Sequence, residues 1–270
     1  MNLVPKNLAS KQWALFAATL LVLVGTGSGA RMSAASSGAT SKGHNLYQQG
    51  LEASRNHDLA TAIRKFRWAL EYLPKSPDVH YALGSAYLEH GDINPAAVEF
   101  RKAIALKPDF AEAYFNRGKS NANQGQYEAA LADFNQAIDL NATFADAYFN
   151  RGKAYFYLGE YQAALTDYTR AIDLTPTFAE AYVNRGATYY NLGQQEAALS
   201  DFNKAIDLNP EYAGAYNNRG LIYSNLGQYE QALTDFEQAL FLFEKQLGPD
   251  HPNTILALKN IAKLRREMVK

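Results

Sequence analysis

The sequence predicts an all-α fold, a solenoid in which one helix pair is stacked on copies of itself. Three observations carry this. Gly50, Gly84, Gly118, Gly152, Gly186 and Gly220 stand 34 residues apart, and that period marks a two-helix unit that buries its apolar face only against a neighbour. Three columns keep step with the glycines. They are Ala62, Ala96, Ala130, Ala164, Ala198 and Ala232; four residues on, Phe66, Phe100, Phe134, Tyr168, Phe202 and Phe236; and three further on, Ala69, Ala103, Ala137, Ala171, Ala205 and Ala239. Offsets of four and three are one face of a helix. Stop signals share the period. Gly91, Gly125, Gly159, Gly193 and Gly227 close the first helix of their units, and Pro74, Pro108, Pro176 and Pro210 close the second. A left-handed residue ends a helix cheaply, and a proline cannot continue one.

The elements follow in chain order. Residues 1–12 carry Lys6 and Lys11 and no acid, residues 13–24 are a weakly polar to apolar run, and small residues fill 25–30. This reads as an export signal with cleavage after Ala30, because the run falls short of the ~20 apolar residues of a membrane span. A retained single-pass anchor is the alternative. Either way the repeats are expected outside the cytoplasm, in a periplasmic, luminal or secreted location. The chain has no Cys, so a lipoprotein anchor is excluded and no disulfide is available. Residues 31–42 are rich in Ser, Ala and Gly and read as a flexible tether.

Six units follow, at 43–76, 77–110, 111–144, 145–178, 179–212 and 213–246. Their first helices carry a stripe of Tyr148, Gly152 and Tyr155, then Tyr182, Gly186 and Tyr189, then Tyr216, Gly220 and Tyr223, with Tyr114, Gly118 and Asn121 in the third unit. A glycine inside a helix costs ~1 kcal/mol relative to Ala. Six such costs in register require a shared cause, and close helix crossing against the Ala column is the expected one. Ala142 and Glu244 break the proline column, and the last second helix is expected to run on through Leu247. After a linker that includes Gly248, Pro249 and Pro252, residues 254–269 read as a seventh first helix covering the open end. Lys259, Lys263, Arg265, Arg266 and Lys270 form its outward face, as a polar cap requires.

Tyr148, Gly152, Tyr155, Ala164, Tyr168, Ala171 and Pro176 fill the positions of the tetratricopeptide repeat. The chain resembles that family over about 43–246, and its last four units are similar to the subtype written Asn-Arg-Gly. Units one and two depart from it, with Gln48-Gln49-Gly50 and Ala82-Leu83-Gly84. The stretch from Gly248 to Thr254, with Leu258, Asn260, Ile261, Ala262 and Leu264, is similar to the linker and next helix of kinesin-light-chain-type repeats; Asn218 and Asn260 stand 42 residues apart. The resemblance implies a right-handed α-solenoid whose concave groove binds a partner segment.

Composition and motifs exclude other classes. Lys plus Arg is 26 against 27 Asp plus Glu, which leaves no electrostatic case for nucleic acid. His44, His57, His80, His90 and His251 are scattered, and no zinc-protease, phosphate-loop or dinucleotide motif occurs. His251 reads as a turn residue and the others as surface or capping residues. Acids repeat with the lattice, whereas a catalytic pair would break it. The expectation is a non-catalytic protein without metal or cofactor. Asn141-Ala142-Thr143 is a glycosylation sequon, meaningful only in a eukaryotic secretory route.

Two ladders stand out. Asn116, Asn150, Asn184 and Asn218 precede each repeat arginine, and Asn260 continues the column. In the family this face lines the groove, and the column is similar to the asparagine ladder in the repeats of O-linked N-acetylglucosamine transferases. An amide that donates and accepts can clamp a peptide backbone; equally, the column can be a local feature of the repeat type. The second ladder is Arg117, Arg151, Arg185 and Arg219. Asp133, Asp167, Asp201 and Asp235 stand one step before the second-helix aromatic of the same units. Units one and two lack both residues, having Gln49 with Lys65 and Leu83 with Glu99. Joint gain and loss predicts an Arg–Asp bridge between the helices of units three to six.

Tyr47, Tyr81, Phe115, Phe149, Phe156, Tyr157 and Tyr190 enrich the first helices in aromatics. Stripes at helical spacing are core by default, with the Phe115 and Phe149 column the better candidate for partner anchors. Lys119 and Lys153 point to an acidic segment, while Asp146 and Glu180 bring the opposite charge, so a chaperone-tail carboxylate clamp is not supported. The functional expectation is a protein-binding scaffold that holds a partner segment in the groove of units three to six, in assembly of an envelope or membrane complex. The competing expectation is a structural repeat protein that self-associates.

Overall fold

The computed structural model describes residues 34–269. The expected export signal or anchor at 1–30 lies outside the described residues, as does Lys270 of the cap. Among the described residues there are 13 helices and no strand, so the fold is all-α, and no helix is long and apolar enough to cross a membrane. The helices are α1 (Ala34–Arg55), α2 (Leu59–Tyr72), α3 (Pro77–His90), α4 (Ile93–Leu106), α5 (Ala111–Asn123), α6 (Tyr127–Leu140), α7 (Ala145–Tyr157), α8 (Tyr161–Leu174), α9 (Ala179–Asn191), α10 (Gln195–Leu208), α11 (Ala213–Asn225), α12 (Tyr229–Leu247) and α13 (Pro252–Met268). They form two compact bodies, residues 34–142 with α1 to α6 and residues 143–269 with α7 to α13.

Within each body, odd and even helices pair as the first and second helices of a unit, and each second helix packs on the next first helix. Unit five shows how this builds a core. Phe202 of α10 is buried with Val183 and Ala187 of α9, with Ala198 and Ala205 of its own helix, and with Ala215 and Ile222 of α11. One aromatic therefore joins two units.

The glycine column has a different cause from the one expected. A Cβ on Gly186 would lie 2.9 Å from Cε1 of Phe202, and one on Gly152 would lie 2.9 Å from Cε1 of Tyr168. The same ring position meets the glycine in all six units. The missing side chain seats the second-helix aromatic, and the alanine columns on either side of that ring are buried.

Tyr168 is the one hydroxylated residue in this aromatic column. Its side chain is fully buried, its hydroxyl has no hydrogen-bond partner, and burial raises its pKa well above the ordinary tyrosine value. A buried hydroxyl without a partner is unfavourable. Tyr168→Phe restores the residue of the other five units and is expected to stabilise the body by about 1 kcal/mol, read as a higher denaturation midpoint.

His57 occupies the column that the turn glycines fill in units two to six. It has φ 57°, the one positive value at a non-glycine among the described residues, where Gly91 to Gly227 have φ of 73° to 96°. An L-residue in that region costs ~1–2 kcal/mol. Its contact with Glu89, at 3.2 Å between exposed side chains, contributes little. His57→Gly is expected to raise the stability of the α1–α2 pair by about 0.5–1 kcal/mol, after the extra freedom glycine gives the unfolded chain; slower amide exchange in α1 and α2 is the readout.

Two expectations change at the ends. The tether expected over 31–42 is helical from Ala34, because α1 starts there. Where it joins unit one it meets the end of α2: a Cβ on Gly43 would lie 2.7 Å from Leu73 Cγ, and Lys42 Nζ is 5.0 Å from the Tyr72 ring centroid. At the other end, α12 continues to Leu247. His251 caps α13, its Nδ1 accepting from the Asn253 N–H at 3.2 Å. Ala257 of α13 packs on Ala213 and Ala239, and Ile261 and Leu264 pack on Ala232 and Phe236. The outward face of α13 is not polar throughout, because Ile255, Leu256 and Leu258 are exposed beside its basic residues.

Candidate functional site

The arginine and aspartate columns meet across each helix pair of units three to six. Asp133, Asp167, Asp201 and Asp235 are buried, held on the second helix one step before the ring that sits on the glycine. Arg151 donates from Nε and Nη2 to the two oxygens of Asp167 at 2.7 Å each. Arg185 does the same with Asp201 at 2.8 Å each, and Arg219 with Asp235 at 2.8 and 2.7 Å. Arg117 donates from Nε to both Asp133 oxygens at 3.0 and 3.1 Å. The fork geometry suits a carboxylate, and donating to these carboxylates raises the arginine pKa values against the opposing effect of burial.

Tyrosines of the first-helix stripe complete the pocket. The Arg185 guanidinium carbon is 5.5 Å from the Tyr182 ring centroid and 5.9 Å from that of Tyr189, and Arg219 stands likewise between Tyr216 and Tyr223. These are cation–π distances. In unit three Asn121 replaces the second tyrosine and donates to Asp133 Oδ2 at 3.0 Å.

Each of two arginines makes a further bond that pairing of columns did not reveal. Arg185 Nη1 donates to Thr169 Oγ1 at 3.1 Å, and Arg219 Nη1 donates to Asn203 Oδ1 at 2.7 Å. Thr169 and Asn203 belong to the second helix of the preceding unit, so one guanidinium ties three helices. The sequence signal was present in a weak form, since both residues carry an acceptor one step after the aromatic.

Units one and two solve the same position otherwise. Lys65 Nζ donates to Gln49 Oε1 at 2.6 Å. In unit two, Leu83 stands where the arginine would be, and His80 takes over the carboxylate: its Nδ1 is 2.6 Å from Glu99 Oε2, and its Nε2 is 3.2 Å from the Pro74 carbonyl. Burial pushes Glu99 up, but hydrogen bonds from His80 and Lys102 outweigh it and leave Glu99 below the ordinary glutamate value. His80 is thus a buried bridging residue rather than a surface one.

The expected groove residues divide. Phe115 and Phe149, the expected partner anchors, are 5% and 2% exposed, with ring centroids 5.9 Å from those of Phe134 and Tyr168. Lys119 and Lys153 cover their edges, each Nζ 5.6 and 5.3 Å from the respective ring centroid. Asn184 and Asn218 are buried. Asn184 Nδ2 donates to the Glu180 carbonyl at 2.8 Å, and Asn150 Nδ2 donates to that of Asp146 at 2.8 Å. Asn116 Nδ2 donates to the Tyr81 hydroxyl at 3.0 Å. Asn150 and Asn116 are half-buried.

A different set lies open on α7, α9 and α11. Tyr157 is 37% exposed, its ring edge-on to Phe156 at 5.9 Å, and Phe156 also meets Tyr161 at 5.4 Å. Tyr190 and Leu221 are half-buried and line a narrow crevice over Phe202 with Ala187 and Asn218. The Tyr190 hydroxyl accepts from Asn225 Nδ2 at 2.8 Å. Glu180 is raised by burial, with Lys153 opposing and Asp146 reinforcing the shift. Among the described residues no group of His, Asp and Glu is arranged to hold a metal ion.

The repeats match known families and folds. A TPR-repeat family model matches residues 84–125, 122–159, 152–193 and 188–227, and two tetratricopeptide-repeat models match 47–99 and 211–268. A comparison with curated protein sequences finds no significant match. Among solved structures, MamA is 30% identical, with 65% of this chain and 95% of that chain covered and a TM-score of 0.58. YrrB, described as a TPR protein with an unusual peptide-binding site, is 25% identical, covering 72% of this chain and 97% of its own at a TM-score of 0.56. PilF of Pseudomonas aeruginosa is 17% identical and shares the fold over 85% of this chain and 99% of its own, with a TM-score of 0.70. With family models matched along both bodies and the ring-on-glycine unit repeated in each, the chain belongs to the tetratricopeptide repeat family.

Proposed function

We propose that the body formed by residues 143–269 is a non-catalytic scaffold that holds a segment of a partner protein on the face of α7, α9 and α11. The observation that carries this is the open aromatic edge. The second-helix aromatic column is sealed in the core, whereas on these first helices Phe156, Tyr157 and Tyr190, with Leu221, leave part of their ring and aliphatic surface uncovered. Large aromatics held by their own helices lose little freedom on binding and act as anchors. Lys153 and Asn150 supply polar contacts at the rim, and the peptide-binding site named for YrrB supports the class of partner. The n-region and apolar run of residues 1–24 support a location outside the cytoplasm, with assembly of an envelope complex as the role.

The test is a crosslinking pull-down from the native compartment with wild type, Tyr157→Ala combined with Tyr190→Ala, and Asn150→Ala. At least tenfold lower partner recovery is expected for the aromatic pair, and a smaller loss for Asn150→Ala, with unchanged helical circular dichroism. Equal recovery from all three proteins rejects the binding face.

A further inference from the structure

The repeat lattice identifies a face of α13 that the described residues leave uncovered. In register with α11, Leu258 takes the place of Tyr216, Ala262 that of Gly220 and Ile261 that of Arg219. In each earlier unit, the face that carries the glycine is covered by the second helix of that unit, whose aromatic ring sits on that glycine. On α13 the same face is open. Ile255 and Leu258 are 40% and 46% exposed and Ala262 is exposed, while Ala257, Ile261 and Leu264 face the body. No helix among the described residues covers it.

Two features specify an occupant. The first is shape. The stripe Ile255, Leu258, Ala262 runs along one helix face at spacings of three and four, the geometry met by an amphipathic helix in six units of the same chain. Ala262 carries the Cβ that the glycines lack, and at the glycines a Cβ would come within 3 Å of the ring. An aliphatic side chain therefore fits opposite it where an aromatic does not. The second is charge. Lys259, Lys263, Arg265 and Arg266 flank the stripe and are exposed. Arg265 reaches Glu237 Oε1 at 3.0 Å and Lys263 reaches Glu267 at 3.8 Å, while Lys259 and Arg266 lie on the flank next to Ile255 and form no ion pair among the described residues.

We infer that the Ile255–Leu258–Ala262 face of α13 docks an amphipathic helix of a partner protein, with small and aliphatic residues on its inner face and acids on its flank, completing a seventh helix pair. The site is separate from the aromatic face of α7, α9 and α11.

The test uses the full chain and a labelled synthetic peptide of residues 194–210 carrying Phe202→Leu, which has the inner face of a second helix together with Glu196, Asp201 and Asp207. Saturable anisotropy change is expected with wild type, weakened by salt. Affinity should drop at least tenfold with Leu258→Glu and with Ala262→Glu, both at exposed positions and neither expected to change the melting curve. Absence of binding, or equal affinity in the variants, overturns the inference. So does either of two other outcomes: a wild-type dimer in sedimentation equilibrium that Leu258→Glu dissociates, which makes the occupant a second copy, or binding of wild type but not Leu258→Glu to phosphatidylserine vesicles in place of the peptide, which makes it a membrane surface.

Discussion

Asp201→Ala is expected to destabilise the body of residues 143–269 by about 3 kcal/mol. The estimate follows from what the substitution leaves behind. Asp201 is buried and takes both Nε and Nη2 of Arg185. Without it, a guanidinium remains between two tyrosine rings with one hydroxyl acceptor, Thr169. Removing one partner of a buried pair costs about 3–5 kcal/mol because the other charge stays desolvated; the partial exposure of Arg185 places this case at the low end. Replacing both partners should be milder, so Arg185→Leu with Asp201→Leu is expected to recover more than half of the loss. Urea denaturation of the three variants measures it, with amide exchange in α9 and α10 as the local readout, since repeat arrays need not unfold in one step. An unchanged midpoint for Asp201→Ala would show that the bridge contributes nothing.

Gly186→Ala tests the other invariant of the unit. By helix propensity alone it should stabilise by about 1 kcal/mol. The structure reverses the sign. The new Cβ would lie 2.9 Å from Phe202 Cε1 and 3.2 Å from Asp201 Cβ, and Phe202 is enclosed by Val183, Ala198, Ala205 and Ile222, so the ring has nowhere to move. Overpacking of a tight core costs typically ~1–3 kcal/mol, and a net loss of about 2 kcal/mol is expected. Adding Phe202→Leu should restore part of it by removing the ring edge. A gain in thermal stability from Gly186→Ala alone would mean the ring does not depend on the gap.

The unit, its period and its cross-helix bridges were legible because each is a column: Arg185 and Asp201 vary together between units, and that covariation has one simple geometric cause. The open surface was not legible. In a solenoid a first helix is covered by its own second helix and by the neighbouring unit, so its buried arc is wider than one stripe. Phe149 and Asn184 fall within that arc, one and two residues from the Tyr–Gly stripe, and periodicity alone does not separate them from Tyr157 and Tyr190. His80 was missed for a related reason. It replaces a tyrosine of the stripe, and only the loss of the arginine at Leu83 leaves Glu99 free to receive it. At residues 34–42 composition suggested slack chain, but Ser and Ala do not forbid a helix, and α1 extends back through them.

The third bond of Arg185 and Arg219 bears on elasticity. A guanidinium fastened to its own unit by a carboxylate and to the unit before it by Thr169 or Asn203 acts as a rivet through overlapping plates. Twisting unit five on unit four shears that rivet, whereas bending the two apart at the opposite edge leaves it intact. Torsional and flexural compliance are therefore set by different residues, and stiffness against twist resides in short side chains of α8 and α10.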